Sequence, residues 1–280
     1  MRERLPEYLK RPIIDTDTTR NVRKILKTNC LNTVCENARC PNKNECYTKN
    51  TATFLIMGNI CTRNCRYCNI GCAKPNPLDL DEPKHVAKAI KELELKYAVI
   101  TSVTRDDLED GGAKHFANCI DEIKKSSPNT KIEILTPDFK NNKSALDVII
   151  QAHPDVFNHN IETVKEVFKI ARPQGNYDNS LEVLKYIKEN SDIKTKSGLM
   201  IGLGETQAQI KSTLEDLKSV GCDILTIGQY IQPTKDHLPV SKYYSLEEYE
   251  QLKQLAASVG FSHYQIGPLV RSSYNAASLT

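Results

Sequence analysis

Cysteines are the residues of this chain whose type and spacing could do chemistry. The chain has ten, and eight of them crowd together: Cys30, Cys35, Cys40, Cys46, Cys61, Cys65, Cys68 and Cys72. Only Cys119 and Cys222 lie further along the chain. The first residues, MRERLPEYLKRP, are charged and lack the apolar stretch of a secretory signal. We therefore expect metal or redox chemistry rather than a disulfide framework.

Cys61, Cys65 and Cys68 form a C-x3-C-x2-C set within the sequence CTRNCRYC. Three thiolates on one short loop are typical of an iron–sulfur cluster, because a compact loop can wrap one face of it. Three cysteine ligands on a four-iron cluster leave one iron without a protein ligand. That iron could bind a reactant, as the open position of a catalytic zinc site does. A zinc knot is the alternative, although no second pair of ligands follows in the usual register.

A second set, Cys35-x4-Cys40-x5-Cys46, lies within TVCENARCPNKNECY. Residues 1–50 show little hydrophobic periodicity, so they should pack poorly unless something other than a core organises them. The spacing predicts a second cluster that also acts as the folding nucleus of this segment. A structural zinc or a purely scaffolding cluster is the alternative.

The elements that must position these cysteines follow from hydrophobic patterning. Between amphipathic helical segments, apolar runs rich in β-branched residues predict strands at 51–60, 97–103, 131–138, 155–161, 194–203 and 224–232. Such alternation implies a parallel sheet with right-handed crossovers, as an open doubly wound sheet or a barrel. Six units predict an α/β fold of the partial (β/α)6 barrel type, with ligands at the carboxyl ends of the strands. The C-x3-C-x2-C set directly follows the first of these strands.

Other features indicate how the chain is divided into segments and in which cellular setting it works. We expect a cluster-binding extension at 1–50, the barrel at 51–235 and a closing segment at 236–280, which contains a helix at 245–260 capped by Ser245 and Glu248. The net charge is only +3, with basic and acidic residues interleaved, which does not favour nucleic acid. No apolar run approaches the roughly 20 residues of a membrane helix. We expect a cytoplasmic protein with neither nucleic acid nor membrane as partner.

CTRNCRYC resembles the signature of the radical S-adenosylmethionine enzymes, including the aromatic residue before the last cysteine. The resemblance implies the partial barrel and a [4Fe–4S] cluster on Cys61, Cys65 and Cys68. It also implies S-adenosylmethionine bound at the open iron through its amino and carboxylate groups. One electron would then cleave this cofactor to methionine and a 5′-deoxyadenosyl radical, which abstracts hydrogen from an unactivated C–H bond.

A narrower resemblance, from roughly residue 30 to 275, is to the lipoyl synthase family. It rests on the upstream C-x4-C-x5-C set and on the sequence RSSY at Arg271–Tyr274. It implies an auxiliary [4Fe–4S] cluster on Cys35, Cys40, Cys46 and Ser273, and this cluster would be the source of inserted sulfur. A serine oxygen is a harder ligand than a thiolate, so Ser273 could leave the iron during catalysis.

The same resemblance implies a substrate and partners. Two sulfur atoms would enter at C6 and C8 of an octanoyl chain on a lysine of a lipoyl carrier domain, from a 2-oxoacid dehydrogenase E2 or glycine cleavage H protein. Ferredoxin or flavodoxin would supply electrons. The alternatives are another radical enzyme with an auxiliary cluster, and a non-catalytic zinc or cluster-binding scaffold.

Polar residues at strand ends are candidate contacts of the cofactor. Asn160 and Glu162 follow the fourth predicted strand, and we expect them to hold S-adenosylmethionine. Arg105, Asp106 and Asp107 follow the second strand. These three residues, Arg105 and Asp107 above all, are predicted to bind the amino group of the cofactor or the acyl carrier.

Overall fold

The structure is a computed structural model that describes residues 5–279; Thr280 and the first four residues of the predicted extension lie outside this range. The strands are β1 (Asn32–Thr33), β2 (Thr53–Ile56), β3 (Ile60–Cys61), β4 (Gly71–Cys72), β5 (Tyr97–Ser102), β6 (Lys131–Leu135), β7 (Val156–Asn158), β8 (Lys194–Ile201), β9 (Ile224–Gln229) and β10 (His263–Gly267). The helices are α1 (Asp17–Thr28), α2 (Val34–Asn37), α3 (Lys43–Thr48), α4 (Glu82–Glu92), α5 (Ala113–Ser126), α6 (Lys143–Ala152), α7 (Lys165–Ala171), α8 (Tyr177–Asn190), α9 (Gln207–Ser219) and α10 (Leu246–Val259).

The central sheet has the strand order β1-β2-β5-β6-β7-β8-β9-β10. Strands β2 and β5 to β10 are parallel, and β1 pairs antiparallel with β2 at one edge. A doubly wound sheet would reverse its strand order at a switch point, whereas here the order follows the chain. The partial barrel predicted from the sequence is therefore confirmed, and each of its six predicted strands is present in shorter form.

Two elements differ from the expectation. Residues 1–50 contain α1, which begins with a capping box between Thr16 and Thr19 and buries Val22 and Leu26. The expectation of a poorly packing segment was wrong there, because two apolar residues four apart are enough to seat one face of a short helix. In the closing segment, β10 adds a seventh parallel strand against β9. Its sequence HYQIG carries few apolar residues because one end of this edge strand is exposed.

Helices cover the outside of the sheet through the stripes that the spacing predicts. Buried apolar residues recur at three- and four-residue intervals on α4, α5 and α9: Val86, Ile90, Phe116, Ile120, Ile123, Ile210, Leu214 and Leu217. The predicted capping box of α10 is present, with Gly260 in the left-handed conformation at its end. No helix within residues 5–279 is both long and apolar enough to cross a membrane.

Candidate active site

A cavity of about 460 Å³ opens at the carboxyl ends of the parallel strands. Its walls include the residues that follow β5, β6, β7 and β9, as expected for a barrel of this type. Both cysteine sets and the closing segment also reach it. From those three parts the cavity is lined by Cys35, Cys40, Cys61, Cys65, Cys68, Arg271, Ser272 and Ser273.

The C-x3-C-x2-C loop leaves β2 through Met57, whose φ of 66° lies in the left-handed region. The peptide N–H of Met57 is held by the buried carboxylate of Glu82, at 2.8 Å. Cys61 ends β3, and the Cys68 N–H donates to the Cys65 carbonyl at 3.0 Å, which makes a turn between the other two cysteines. The short β3–β4 pair then closes the loop.

Backbone donors surround the first sulfur of this loop. Cys61 Sγ accepts hydrogen bonds from the N–H groups of Arg63 and Thr104, at 3.4 and 3.2 Å. Burial raises the pKa of Cys68 to about 12 and also raises that of Cys65. Such thiols need a positive partner to ionise, and coordinated iron supplies that charge.

The upstream set is built on two short helices. Cys35 lies on α2, Cys40 in the following turn and Cys46 on α3, and the Cys40 N–H donates to the Cys35 carbonyl at 3.2 Å. Burial, followed by the charge of Cys40, raises the pKa of both Cys35 and Cys46 to about 12. Cys35 and Cys40 line the cavity, whereas Cys46 packs against the core behind them.

Cys61, Cys65 and Cys68 all line the cavity, and three thiolates of one short loop fit a four-iron cluster. In residues 5–279 no three His, Cys, Asp or Glu side chains are arranged to hold one metal ion. Zinc would draw its thiolates to about 2.3 Å from a single centre. In a four-iron cluster each cysteine binds a different iron, so the sulfur atoms stand further apart.

The closing segment carries Ser273 to the upstream cysteines. Asn42 Nδ2, in the turn before α3, donates to the Leu269 carbonyl at 2.6 Å. On the other side of Ser273, the Tyr274 hydroxyl donates to Glu45 Oε1 on α3, at 2.8 Å. Ser273 therefore shares a wall of the cavity with Cys35 and Cys40, although more than 200 residues separate them.

Asn160 and Glu162 lie just after the end of β7. Both line the cavity, and Glu162 has a φ of 70° and a bridge to Leu199 on β8. Burial raises the pKa of Glu162, although Arg172 and hydrogen bonds from Asn160 and Tyr67 oppose that shift. Arg172 follows α7, and sequence patterning gives no signal for it. It is buried, donates to the Asn160 carbonyl at 3.2 Å and lines the same cavity.

His159 presents a neutral ring to this region. Burial, followed by the charge of Arg172, lowers its pKa to about 4. Nδ1 lies 2.8 Å from the Thr136 carbonyl, to which it must donate, so Nε2 is an acceptor. That nitrogen and Thr136 Oγ1 are buried without a partner among residues 5–279, although both residues line the cavity. Unpaired buried polar atoms in a cavity wall indicate a site for a polar ligand.

The structure does not bring Arg105 and Asp107 to the cavity. Arg105 is buried and donates two hydrogen bonds to the carboxylate of Asp107, each 2.8 Å long, and neither residue lines the cavity. Their predicted contact with the cofactor stays a prediction that this geometry does not support. Asp106, between them, accepts instead from Arg63 of the cluster loop.

Barrel, cavity and C-x3-C-x2-C loop together define a radical S-adenosylmethionine enzyme. In agreement, a family model described as the Radical SAM superfamily matches residues 55–217. Methylornithine synthase has a similar fold, with a TM-score of 0.57 at 15% identity over 86% of this chain and 73% of that one.

Comparison with curated relatives identifies the family within this class. A lipoyl synthase of Caldicellulosiruptor saccharolyticus is 49% identical over all of this chain and 99% of its own length. Another, of Tolumonas auensis, is 51% identical over 97% of this chain and 85% of its own length. The chain belongs to the lipoyl synthase family, as its motifs predict. It is therefore a sulfur-inserting enzyme of the radical class, for which a [4Fe–4S] cluster and S-adenosylmethionine are the cofactors.

Proposed function

We propose that the protein inserts two sulfur atoms at C6 and C8 of an octanoyl chain carried on a lysine of a lipoyl carrier domain. The supporting observation is that one cavity is lined by all three cysteines of the downstream set, by Cys35 and Cys40 of the upstream set, and by Ser273. Radical formation and sulfur donation would then take place across a single space.

Residues of the barrel mouth would hold the reactants. With a four-iron cluster on Cys61, Cys65 and Cys68, bound S-adenosylmethionine supplies the radical that removes hydrogen from an unactivated carbon. Asn160 and Glu162 would orient this cofactor. An octanoyl chain needs an apolar path, and the cavity wall offers one in Leu55, Val103, Leu135, Met200 and Ile231.

The upstream set would hold a second four-iron cluster, which would supply the inserted sulfur. Cys35, Cys40 and Cys46 would bind three of its irons and Ser273 the fourth. A hydroxyl oxygen is a harder ligand than a thiolate, so Ser273 would release its iron more readily than the cysteines do.

The carrier would be the lipoyl domain of a 2-oxoacid dehydrogenase E2 or glycine cleavage H protein, and the reductant a ferredoxin or flavodoxin. We place the protein in the cytoplasm because all ten of its cysteines are unpaired, as a reducing compartment favours. The division into an extension at 1–50, a barrel at 51–235 and a closing segment at 236–280 is part of this proposal.

The test is an anaerobic reaction of the reconstituted protein with an octanoylated carrier domain, S-adenosylmethionine and a reductant. Mass spectrometry of the carrier should show a gain of two sulfur atoms. A Cys61→Ala variant is the control and should leave the carrier unchanged. If the unsubstituted protein cleaves the cofactor but never changes the carrier, the proposal fails.

A further inference from the structure

The closing segment crosses β8 and β9 where two glycines make room for it. A Cβ atom at Gly198 would lie 2.5 Å from Thr226 Oγ1, 2.9 Å from Ser272 Oγ and 3.0 Å from Asn160 Oδ1. A Cβ atom at Gly228 would overlap the carbonyl oxygen of Val270. Neither glycine has a positive φ, so it is the missing side chain that matters at these positions. Together they form a seat for residues 270–272.

Above this seat, Ser272 is tied to the wall of the barrel. Its hydroxyl donates to Asn160 Oδ1 at 2.7 Å. Asn160 is itself held, because its carbonyl accepts from Arg172 Nη1 at 3.2 Å and its side chain bonds Glu162. The hydrogen-bond acceptor of Ser272 is therefore itself held in place by other residues.

The Ser273 side chain differs from that of Ser272. Its hydroxyl forms no hydrogen bond in the part of the chain that the structure describes, so its neighbours determine where it stands. Ser272 fixes it to the barrel, and Tyr274 fixes it to α3 through Glu45. The two contacts lie on opposite sides of the same residue.

We propose that Ser272 is a positioning residue, which holds Ser273 against the upstream cysteines through its hydrogen bond to Asn160. The inference rests on the proposed function, since the position of Ser273 matters only if that residue binds a cluster. Asn160 stands in the wall predicted to hold S-adenosylmethionine. The Ser272–Asn160 hydrogen bond therefore connects the closing segment directly to the predicted S-adenosylmethionine site.

The test uses the full chain with Cys61, Cys65 and Cys68 replaced by alanine, so that only the upstream set can hold iron. After anaerobic reconstitution, the rate at which a chelator removes iron is followed by absorbance. Losing one hydrogen bond of about 1 kcal/mol corresponds to a factor of roughly five. We expect Ser272→Ala to release iron about fivefold faster.

Controls separate positioning from a general loss of structure. Ser278 lies in the same segment, where its hydroxyl donates to the Asn275 carbonyl at 2.8 Å, and Ser278→Ala should leave the rate unchanged. Ser272→Thr retains the hydroxyl and should stay near the background rate. If Ser272 acts through Ser273, adding Ser272→Ala to Ser273→Ala should cause no further acceleration.

Two failures can be told apart. A background protein that binds no iron would contradict the proposed function itself. If the background binds about four irons but Ser272→Ala releases them at the same rate, the positioning role is overturned. Equal acceleration by Ser272→Ala with and without Ser273 would overturn it as well.

Discussion

Arg63 lies inside the cluster loop, and its side chain is held by a pair of carboxylates. The guanidinium donates to Asp106 at 2.7 and 2.9 Å and to Asp138 with two bonds of 2.7 Å. Burial lowers the pKa of Arg63, but the two carboxylates outweigh it and raise that pKa well above its usual range. The loop is thereby fixed to the chain after β5 and after β6.

Replacing Arg63 with alanine should strongly destabilise the fold. Asp138 is buried, and a buried charge that loses its partner costs about 3–5 kcal/mol. Urea unfolding of the metal-free protein measures this difference. Lys140→Ala is the matched control, since its ammonium lies 3.9 Å from Asp106 but is mostly exposed, and it should cost less than about 1 kcal/mol. Similar losses in the two variants would contradict the assigned role of Arg63.

Asp138 should also make stability depend on pH. Burial would raise its pKa, but the hydrogen bonds and charge of Arg63 outweigh burial and hold the pKa well below its usual range. The resulting stability is complete above the unfolded pKa of about 4 and is lost as the pH falls towards the folded value. The free energy of unfolding should therefore drop between about pH 5 and 3, and drop less in Asp138→Asn. Identical pH profiles would argue against this ion pair.

Ser273→Ala should separate cleavage of S-adenosylmethionine from sulfur insertion. The downstream cysteines are untouched, so S-adenosylmethionine should still be cleaved. Sulfur insertion should be lost, because Ser273 is the proposed fourth ligand of the upstream set. Chromatography of 5′-deoxyadenosine and mass spectrometry of the carrier measure the two steps. Ser278→Ala should perform both steps normally. Sulfur insertion by Ser273→Ala at the unsubstituted rate would exclude a role for this hydroxyl.

At the scale of elements, a buried ion pair joins β6 and β8 inside the barrel. Lys196 Nζ donates to both carboxylate oxygens of Glu133, at 2.9 and 3.0 Å, and both side chains are fully buried. Asn158 Nδ2 and the Tyr97 hydroxyl donate to the same carboxylate. Glu133 thus collects donors from β5, β7 and β8.

Lys196→Met should cost about 3–5 kcal/mol in the free energy of unfolding, because it leaves the Glu133 charge buried without its cation. Adding Glu133→Gln removes that charge and keeps an acceptor for Asn158 and Tyr97. The double variant should therefore recover much of the loss, as measured by urea unfolding. A double variant less stable than Lys196→Met would show that the charge itself is not the cause.

At the scale of the molecule, the two cysteine sets should load independently. The unsubstituted protein should bind about eight irons. Replacing Cys35, Cys40 and Cys46 with alanine should leave about four irons and intact cleavage of S-adenosylmethionine. Replacing Cys61, Cys65 and Cys68 should leave a similar amount of iron but no cleavage. Anaerobic iron and sulfide analysis with a cleavage assay makes the comparison.

Cys30→Ala is the control for that experiment, since this exposed thiol belongs to neither set and should change neither value. Loss of all iron on removal of either set would contradict independent loading. Zinc in place of iron would favour a scaffold over the enzyme.

Much of the architecture is predictable from local patterning. Buried parallel strands read as apolar runs, and helices facing one sheet read as stripes, so six strands and their helices can be found in the sequence. The edge strand β10 and helix α1 escape this approach because each buries little. Arg105 and Asp107 are misleading for another reason: two charged neighbours after a strand can bind a ligand or bind each other.

By itself the sequence indicated iron–sulfur chemistry for the downstream cysteine set, because its spacing is local and a short loop wraps a compact cluster. For the upstream set it predicted a cluster and left structural zinc as the alternative. It also determined the order of strands and helices. Only the tertiary structure decided that Cys35, Cys40 and Ser273 share a cavity with Cys61, Cys65 and Cys68. That meeting depends on the parallel crossovers, which align the strand ends. It also depends on Gly198 and Gly228, which leave space for the closing segment.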